Sequence, residues 1–305
     1  MSAPSSAPGG DPRLALTAGV GCYLIWGLVP VVFQALGALH VGPGEILAHR
    51  MVWSLPVALV LVLVARQGGQ ALALRRKPKT VAWLALSAGL ITVNWLTFIW
   101  AVNHHRILDT SLGYYINPLV NMALGAVLFR ERLDRIGYVA VGLAVAGVAV
   151  QTIALGGPPL ISLVLALSFS GYGVVRKQVP VDAQTGLFVE CLLLAPPALV
   201  YIAWLEATGQ ARFEHSLGAA ALLLFCGPLT ALPLALFSWA ARRMTLSALA
   251  FVQFLTPTMT FALGVSQGEP FTAVRAASFG LIWAGVAVFL IGAWSRARRL
   301  RQALA

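Results

Sequence analysis

The sequence predicts an all-α polytopic membrane protein of ten transmembrane helices, arranged as two inverted five-helix repeats. Three observations lead there. Hydrophobic residues make up 59% of the 305-residue chain and charged residues only 10%, with a mean hydropathy of +0.84, and no soluble surface can be covered with so few charges. The apolar residues gather into runs that reach the ~20 positions a helix needs to cross a bilayer. Finally, the second half of the chain aligns with the first.

Residues 1–13 are rich in Ala, Pro, Ser and Gly and read as a cytoplasmic tail. The run that follows Arg13, residues 14–36, is too long for a signal-peptide core and is expected to remain as the first helix. Further runs at 45–65, 81–103, 110–129 and 136–154 complete a first repeat over 14–154. Those at 158–176, 185–205, 218–240, 245–264 and 273–294 make a second over 158–294, followed by a basic cytoplasmic tail at 295–305. Backbone polar groups in lipid must be satisfied within the segment, and these runs are too long for barrel strands, so they are read as helices.

The net charge of +11 does not indicate nucleic acid, because the basic residues cluster at the ends of apolar runs rather than along one aromatic-interleaved stripe. With the N-terminus inside, seventeen Lys and Arg fall on the cytoplasmic side and only Arg106, Arg212 and Arg275 on the other, leaving Arg50 within a helix. That bias places both termini in the cytoplasm and requires an even number of spans.

At an offset of 139 residues, Phe98 meets Phe237, Trp100 meets Trp239, Pro118 meets Pro257, and Ala123-Leu124-Gly125 meets Ala262-Leu263-Gly264. Pro56 meets Pro197 at an offset of 141. Each half has five helices, an odd number, so the second must enter the bilayer from the opposite face. Such inverted repeats are typical of transporters with a substrate site near the midplane.

Several polar residues stand out within the spans. Arg50 puts a guanidinium into an apolar helix, which marks a partner or an anionic ligand, unless it snorkels to the outer interface. Glu190, at matching depth in the seventh span, could pair structurally with Arg50 or titrate in a coupled mechanism; His49 is a weaker neighbour. Asn117 and Asn121, four residues apart beside Tyr114, Tyr115 and Pro118, could line a cavity or simply bond neighbouring helices. Asn94, Trp100 and Asn103, with Trp26, Tyr172, Trp239 and Gln253, could form an aromatic box with hydrogen-bonding tips suited to an amphipathic substrate, although Trp and Tyr also collect at membrane interfaces. Trp26 and Trp100 are preferred as central in their spans.

Other groups are assigned no such role. His104, His105 and Asp109 read as a solvated loop rather than a metal site. Glu131 and Glu269 read as caps on the helices that follow them. Cys22, Cys191 and Cys226 read as small hydrophobes. No catalytic residue, metal site or cofactor is expected, since no Walker motif, GxSxG, HExxH or intramembrane aspartate pair is present.

The stretches GCYLIWGLVPVVFQAL at 21–36, EILAHRMVWS at 45–54, NWLTFIWAVNHHRILDTSLGYYINPLVNMALG at 94–125 and the FRERL ending at 133 resemble RarD-type proteins of the EamA branch of the drug/metabolite transporter superfamily. Pro118 with Glu131, and more loosely Pro257 with Glu269, resemble that family's repeated pattern, while 158–197 departs from it. The resemblance implies two EamA-like repeats forming a permease or exporter of a small organic metabolite or drug in the bacterial inner (plasma) membrane. The expected partners are a small-molecule substrate and the lipid bilayer, not nucleic acid, and a homodimer stays open. The competing readings are a non-transporting membrane sensor and a lipid scramblase.

Overall fold

The computed structural model describes residues 12–128, 134–241, 243–244 and 246–304, and among these every regular element is helical. In chain order the helices are α1 (Pro12–Ala38), α2 (Pro43–Val64), the short α3 (Gly68–Ala73), which runs into a 3-10 turn at Leu74–Arg76, α4 (Pro78–Asn103), α5 (Ile107–Leu128) and α6 (Arg135–Leu155). They continue with α7 (Leu160–Gln178), α8 (Ala183–Ala207), α9 (Leu217–Ala241), α10 (Leu246–Val252), α11 (Leu255–Ser266) and α12 (Ala273–Leu304). Local chemistry sets many of the ends. Pro43 and Pro78 open their helices in the position where a missing N–H costs nothing. Asp134 accepts a hydrogen bond from the Gly137 amide (2.8 Å), and Gly156, with φ of 70°, closes α6 in the left-handed conformation.

Eight of the described helices are long and apolar enough to cross a membrane. Their outward faces carry exposed Leu63, Val145, Ile153 and Val200, while Ser54, Ser87, Asn94, Thr185, Glu190 and Thr230 are buried. Apolar outside and polar inside suits a lipid solvent, so the chain is a multi-pass membrane protein.

Two elements depart from simple apolar rods. Helix α5 has 22 residues but carries Asp109, Thr110, Ser111, Asn117 and Asn121 among its apolar positions. The continuous helix expected over 245–264 is instead broken into α10 and α11 at Gln253–Phe254. Pro257 favours a break there, because its ring opposes the carbonyl four residues back, at Gln253, and supplies no N–H to it. The turn is held by Thr258, whose hydroxyl donates to the Phe254 carbonyl (2.7 Å), and by Thr256, which reaches the Tyr23 carbonyl of α1 (2.8 Å).

Helix α2 packs on α8 and α9, α1 on α9 and α11, α4 on α7 and α8, α5 on α7 and α11, and α6 on α12. Helices α2 and α8 run antiparallel. Gln67, just past the end of α2, bonds Gln184 and Thr185 at the start of α8, and Glu45 at the start of α2 accepts from the Arg212 amide (2.7 Å) beyond the end of α8.

The α6–α12 contact depends on glycine. A Cβ on Gly285 would sit 2.8 Å from the Ala140 carbonyl oxygen, and one on Gly147 2.9 Å from that of Ser278, and backbone cannot yield as a side-chain tip can. Gly285→Val is therefore expected to destabilise the protein by about 1–3 kcal/mol, read as a lowered thermal midpoint in detergent. The same change at Gly280, which has open space around it, should be nearly neutral.

Candidate functional site

Arg50 lies seven residues into α2 and is 7% exposed. Its Nε donates to Thr230 Oγ1 (2.8 Å), and the Thr230 hydroxyl in turn donates to the Cys226 carbonyl (2.8 Å), so α9 fixes one edge of the guanidinium. The guanidinium carbon stands 4.0 Å from the centroid of Trp95 and 5.6 Å from that of Phe33, bringing in α4 and α1. Among the described residues, no carboxylate lies within ion-pair distance of Arg50.

A run of aromatic rings leads away from it. Phe33 meets Phe98 (6.2 Å between centroids), Phe98 meets Tyr114 (5.7 Å), Tyr114 meets Phe169 (6.1 Å) and Phe169 meets Tyr172 (6.1 Å). Asn94 is the polar hub beside them. Its amide nitrogen donates to the Leu165 carbonyl (3.0 Å) and Ser168 Oγ (3.1 Å), and its oxygen accepts from the Tyr114 hydroxyl (3.1 Å). Helices α4, α5 and α7 are thus joined at one side chain.

Glu190 closes the far end of the run. Its carboxylate accepts from Ser87 Oγ (2.5 Å) and Tyr172 Oη (3.4 Å) and lies 3.7 Å from Arg176 Nε. Gly186 leaves the room that the Arg176 guanidinium fills, since a Cβ there would overlap it. Contrary to the depth expected from the sequence, Glu190 does not face Arg50. Each lies seven residues, ~10 Å, from the start of its own helix, and because α2 and α8 are antiparallel those starts are at opposite ends.

The remaining sequence candidates are only partly gathered. Asn117 is buried and its oxygen accepts from Ser170 Oγ (2.6 Å), but Asn121 is exposed, so the two do not line one cavity together. Trp26 is half-buried between Tyr23 (5.3 Å) and Phe237 (6.0 Å), where α1 meets α9. Trp100 is 39% exposed near the end of α4, stacked on His104 (4.2 Å) and bordering an outer groove with Pro43, Gly44, Leu96 and Thr97. It is not central, because α4 ends three residues later at Asn103. Neither Trp239 nor Gln253 joins the run; Trp239 instead carries the Arg243 guanidinium at 4.3 Å.

Asp109 is not in a solvated loop. It is buried in the first turn of α5, accepts from Arg106 Nε (2.7 Å) and lies 3.5 Å from Arg275 Nη2. Glu269 caps a helix, but not the one that follows it: its oxygens accept from the Ile107 and Leu108 amides at the start of α5 (2.5 and 2.8 Å). Glu131 lies outside the described residues. Among the described residues, no group of three His, Cys, Asp or Glu side chains is placed to hold a metal ion.

Phe33, Trp95, Thr230, Ser87 and Arg176 belong to this arrangement without having been singled out in the sequence. A buried Glu190 needs a cation, which was a usable signal for Arg176. Thr230, in a helix of Leu, Ala and Pro, offered none.

The EamA-like transporter family matches residues 13–153. Protein RarD of Streptomyces exfoliatus is 43% identical over 296 residues, 96% of this chain and 93% of that protein. The chain is a RarD-type member of the EamA-like transporter family. Other relatives agree. An uncharacterized transporter of Vibrio cholerae serotype O1 is 39% identical over 96% of this chain and 97% of its own. The chloramphenicol-sensitive protein RarD of Pseudomonas aeruginosa is 32% identical over 85% and 87%. A solved crystal structure at 18% identity superposes with a TM-score of 0.57, covering 94% of this chain and 98% of that one, a likeness of fold.

Proposed function

We propose that this protein is a secondary transporter that moves a small organic metabolite or drug across the bacterial inner membrane by alternating access between two inverted five-helix repeats. The observation that carries this reading is the buried run from Arg50 through Tyr114 and Asn94 to Glu190, which is polar and aromatic where a purely structural membrane core would be apolar. The first repeat, 14–154, holds α1, α2, α4, α5 and α6; the second, 158–294, holds α7, α8, α9, the broken α10–α11 and α12. With α5 and α10–α11 counted as spans, there are ten.

The packing supports this division. Exchanging each helix for its counterpart turns the α1–α9 contact into α7–α4, α1–α11 into α7–α5 and α2–α9 into α8–α4, all of which occur. The α2–α8, α5–α11 and α6–α12 contacts map onto themselves. Two bundles related in this way can rock about a shared centre and expose it to either face. The excess of Lys and Arg in 66–79, 130–135 and 296–301 supports cytoplasmic termini. In this reading Arg50, Asn94, Tyr114, Asn117 and Trp26 contact substrate from the first repeat, Glu190 provides coupling or closure from the second, and Asn121 and Trp100 lie along the entry route.

The test is flux. Purified protein in liposomes, offered a mixed pool of metabolites with chloramphenicol under a pH gradient of either polarity, is expected to give saturable uptake of at least one solute. Asn94→Ala and Tyr114→Phe should raise its half-saturation concentration by roughly threefold to tenfold, the effect of one lost hydrogen bond. If no solute moves under either polarity, the transporter reading falls and the sensor or scramblase readings replace it.

A further inference from the structure

We propose that Arg50 receives the carboxylate of a small organic anion whose ring-bearing body packs among Phe33, Trp95, Phe98 and Tyr114. This names the substrate class and rests on the transporter reading. A guanidinium stays charged at any pH a cell meets, and a buried charge needs a counter-charge or a ligand that brings one. Arg50 is 7% exposed, and among the described residues no carboxylate reaches it. Glu190, the acid in the neighbouring helix α8, is engaged by Arg176, Ser87 and Tyr172 toward the other end of the antiparallel pair.

The orientation of the group points the same way. Only Nε has a hydrogen-bond partner among the described residues, yet neither Nη is among the sealed atoms left without one, as His49 Nε2, both amide atoms of Asn103 and Arg176 Nη1 are. The two Nη groups therefore keep some accessible surface within a residue that is 7% exposed, while Thr230 holds Nε from the other edge. A guanidinium fixed at one edge and accessible at the other matches the paired oxygens of a carboxylate. The guanidinium carbon lies over the rings of Trp95 and Phe33, and the adjoining rings of Phe98 and Tyr114 offer an apolar wall. The Tyr114 hydroxyl and Asn94 stand next to that wall as hydrogen-bonding tips for a second polar group on the ligand.

The test uses the full-length protein in lipid nanodiscs in chloride-free buffer, with phenylacetate and phenylacetamide, then cinnamate and cinnamamide, followed by tryptophan fluorescence and by thermal shift. Each acid is expected to bind at least about tenfold more tightly than its amide. Arg50→Gln should abolish that preference, and Arg50→Lys should keep part of it. Equal binding of acid and amide by the wild type, or no binding of either acid, overturns the proposal, and this holds even if Arg50→Gln does not fold. Chloride that displaces the acids at equal concentration would make the site one for an inorganic anion and overturn the organic assignment. Saturable flux of some solute without acid preference would leave transport standing and remove this inference. Acid-selective, Arg50-dependent binding with no flux of any solute would do the reverse.

Discussion

Arg176→Ala is expected to lower the unfolding free energy of the solubilised protein by about 2–4 kcal/mol, the largest loss of any single change near the buried centre. Removing the guanidinium leaves the Glu190 carboxylate, 3% exposed, with hydrogen bonds from Ser87 and Tyr172 but no cation. The figure lies below that for a fully enclosed pair because the Arg176 side chain is 15% exposed and stands 3.7 Å from its partner. Glu190→Gln should cost less, about 1–2 kcal/mol, since the amide still accepts from Ser87 and the freed Arg176 can extend toward the interface from its place near the end of α7.

The double variant Arg176→Gln with Glu190→Gln separates pairing from packing. Its loss should be smaller than the sum of the two single Gln losses by about 1–3 kcal/mol, measured by denaturant titration in one detergent. Strict additivity would mean that the two charges do not interact in the folded protein. Gly186→Ala supplies an independent check, because its methyl group would take the place of the Arg176 guanidinium. It should cost less than Arg176→Ala, because the flexible Arg176 tip can shift and keep its charge near Glu190.

The architecture was legible wherever one physical signal dominated. Apolar runs located eight helices because lipid tolerates little else for ~20 residues, and the run at 110–129 was found as α5 despite its polar content. The break at Gln253–Phe254 has no such dominant signal, even with Pro257 close by. Pro118 sits in the matching place of α5 without breaking it, so a proline alone does not determine whether the chain bends or yields.

The site was less legible for a related reason. Counting residues from helix starts gave Arg50 and Glu190 equal depth, yet the opposed entry of α2 and α8, implicit in an inverted repeat, turns equal counts into opposite ends. Their actual partners, Thr230 and Trp95 for Arg50 and Arg176 and Ser87 for Glu190, come from helices distant in sequence. No local spacing encodes those contacts. Asn121 failed for a simpler reason: helical spacing puts it near Asn117, but α7 covers only the first of the two, through Ser170.

Glu269→Ala should cost about 2–4 kcal/mol, because it strips both acceptors from two amides at the start of α5. Glu269 is itself 8% exposed and sits in the α11–α12 connection, and Gly264 of α11 lies against Leu108, so water has little room to replace the carboxylate. A negative charge at that end also complements the helix dipole. Glu269→Gln keeps one acceptor for one of the two amides and loses the charge, which places it between the wild type and Glu269→Ala. Hydrogen exchange locates the effect. The Ile107 and Leu108 amides should lose protection in Glu269→Ala, while the Gly137 amide, capped by Asp134 at the start of α6, should not. If all three exchange faster together, the carboxylate supports the fold as a whole rather than fastening α5 to the α11–α12 connection. If only the first two do, this contact is a local clasp between the proposed repeats, and weakening it is the direct way to bias which face of the protein opens.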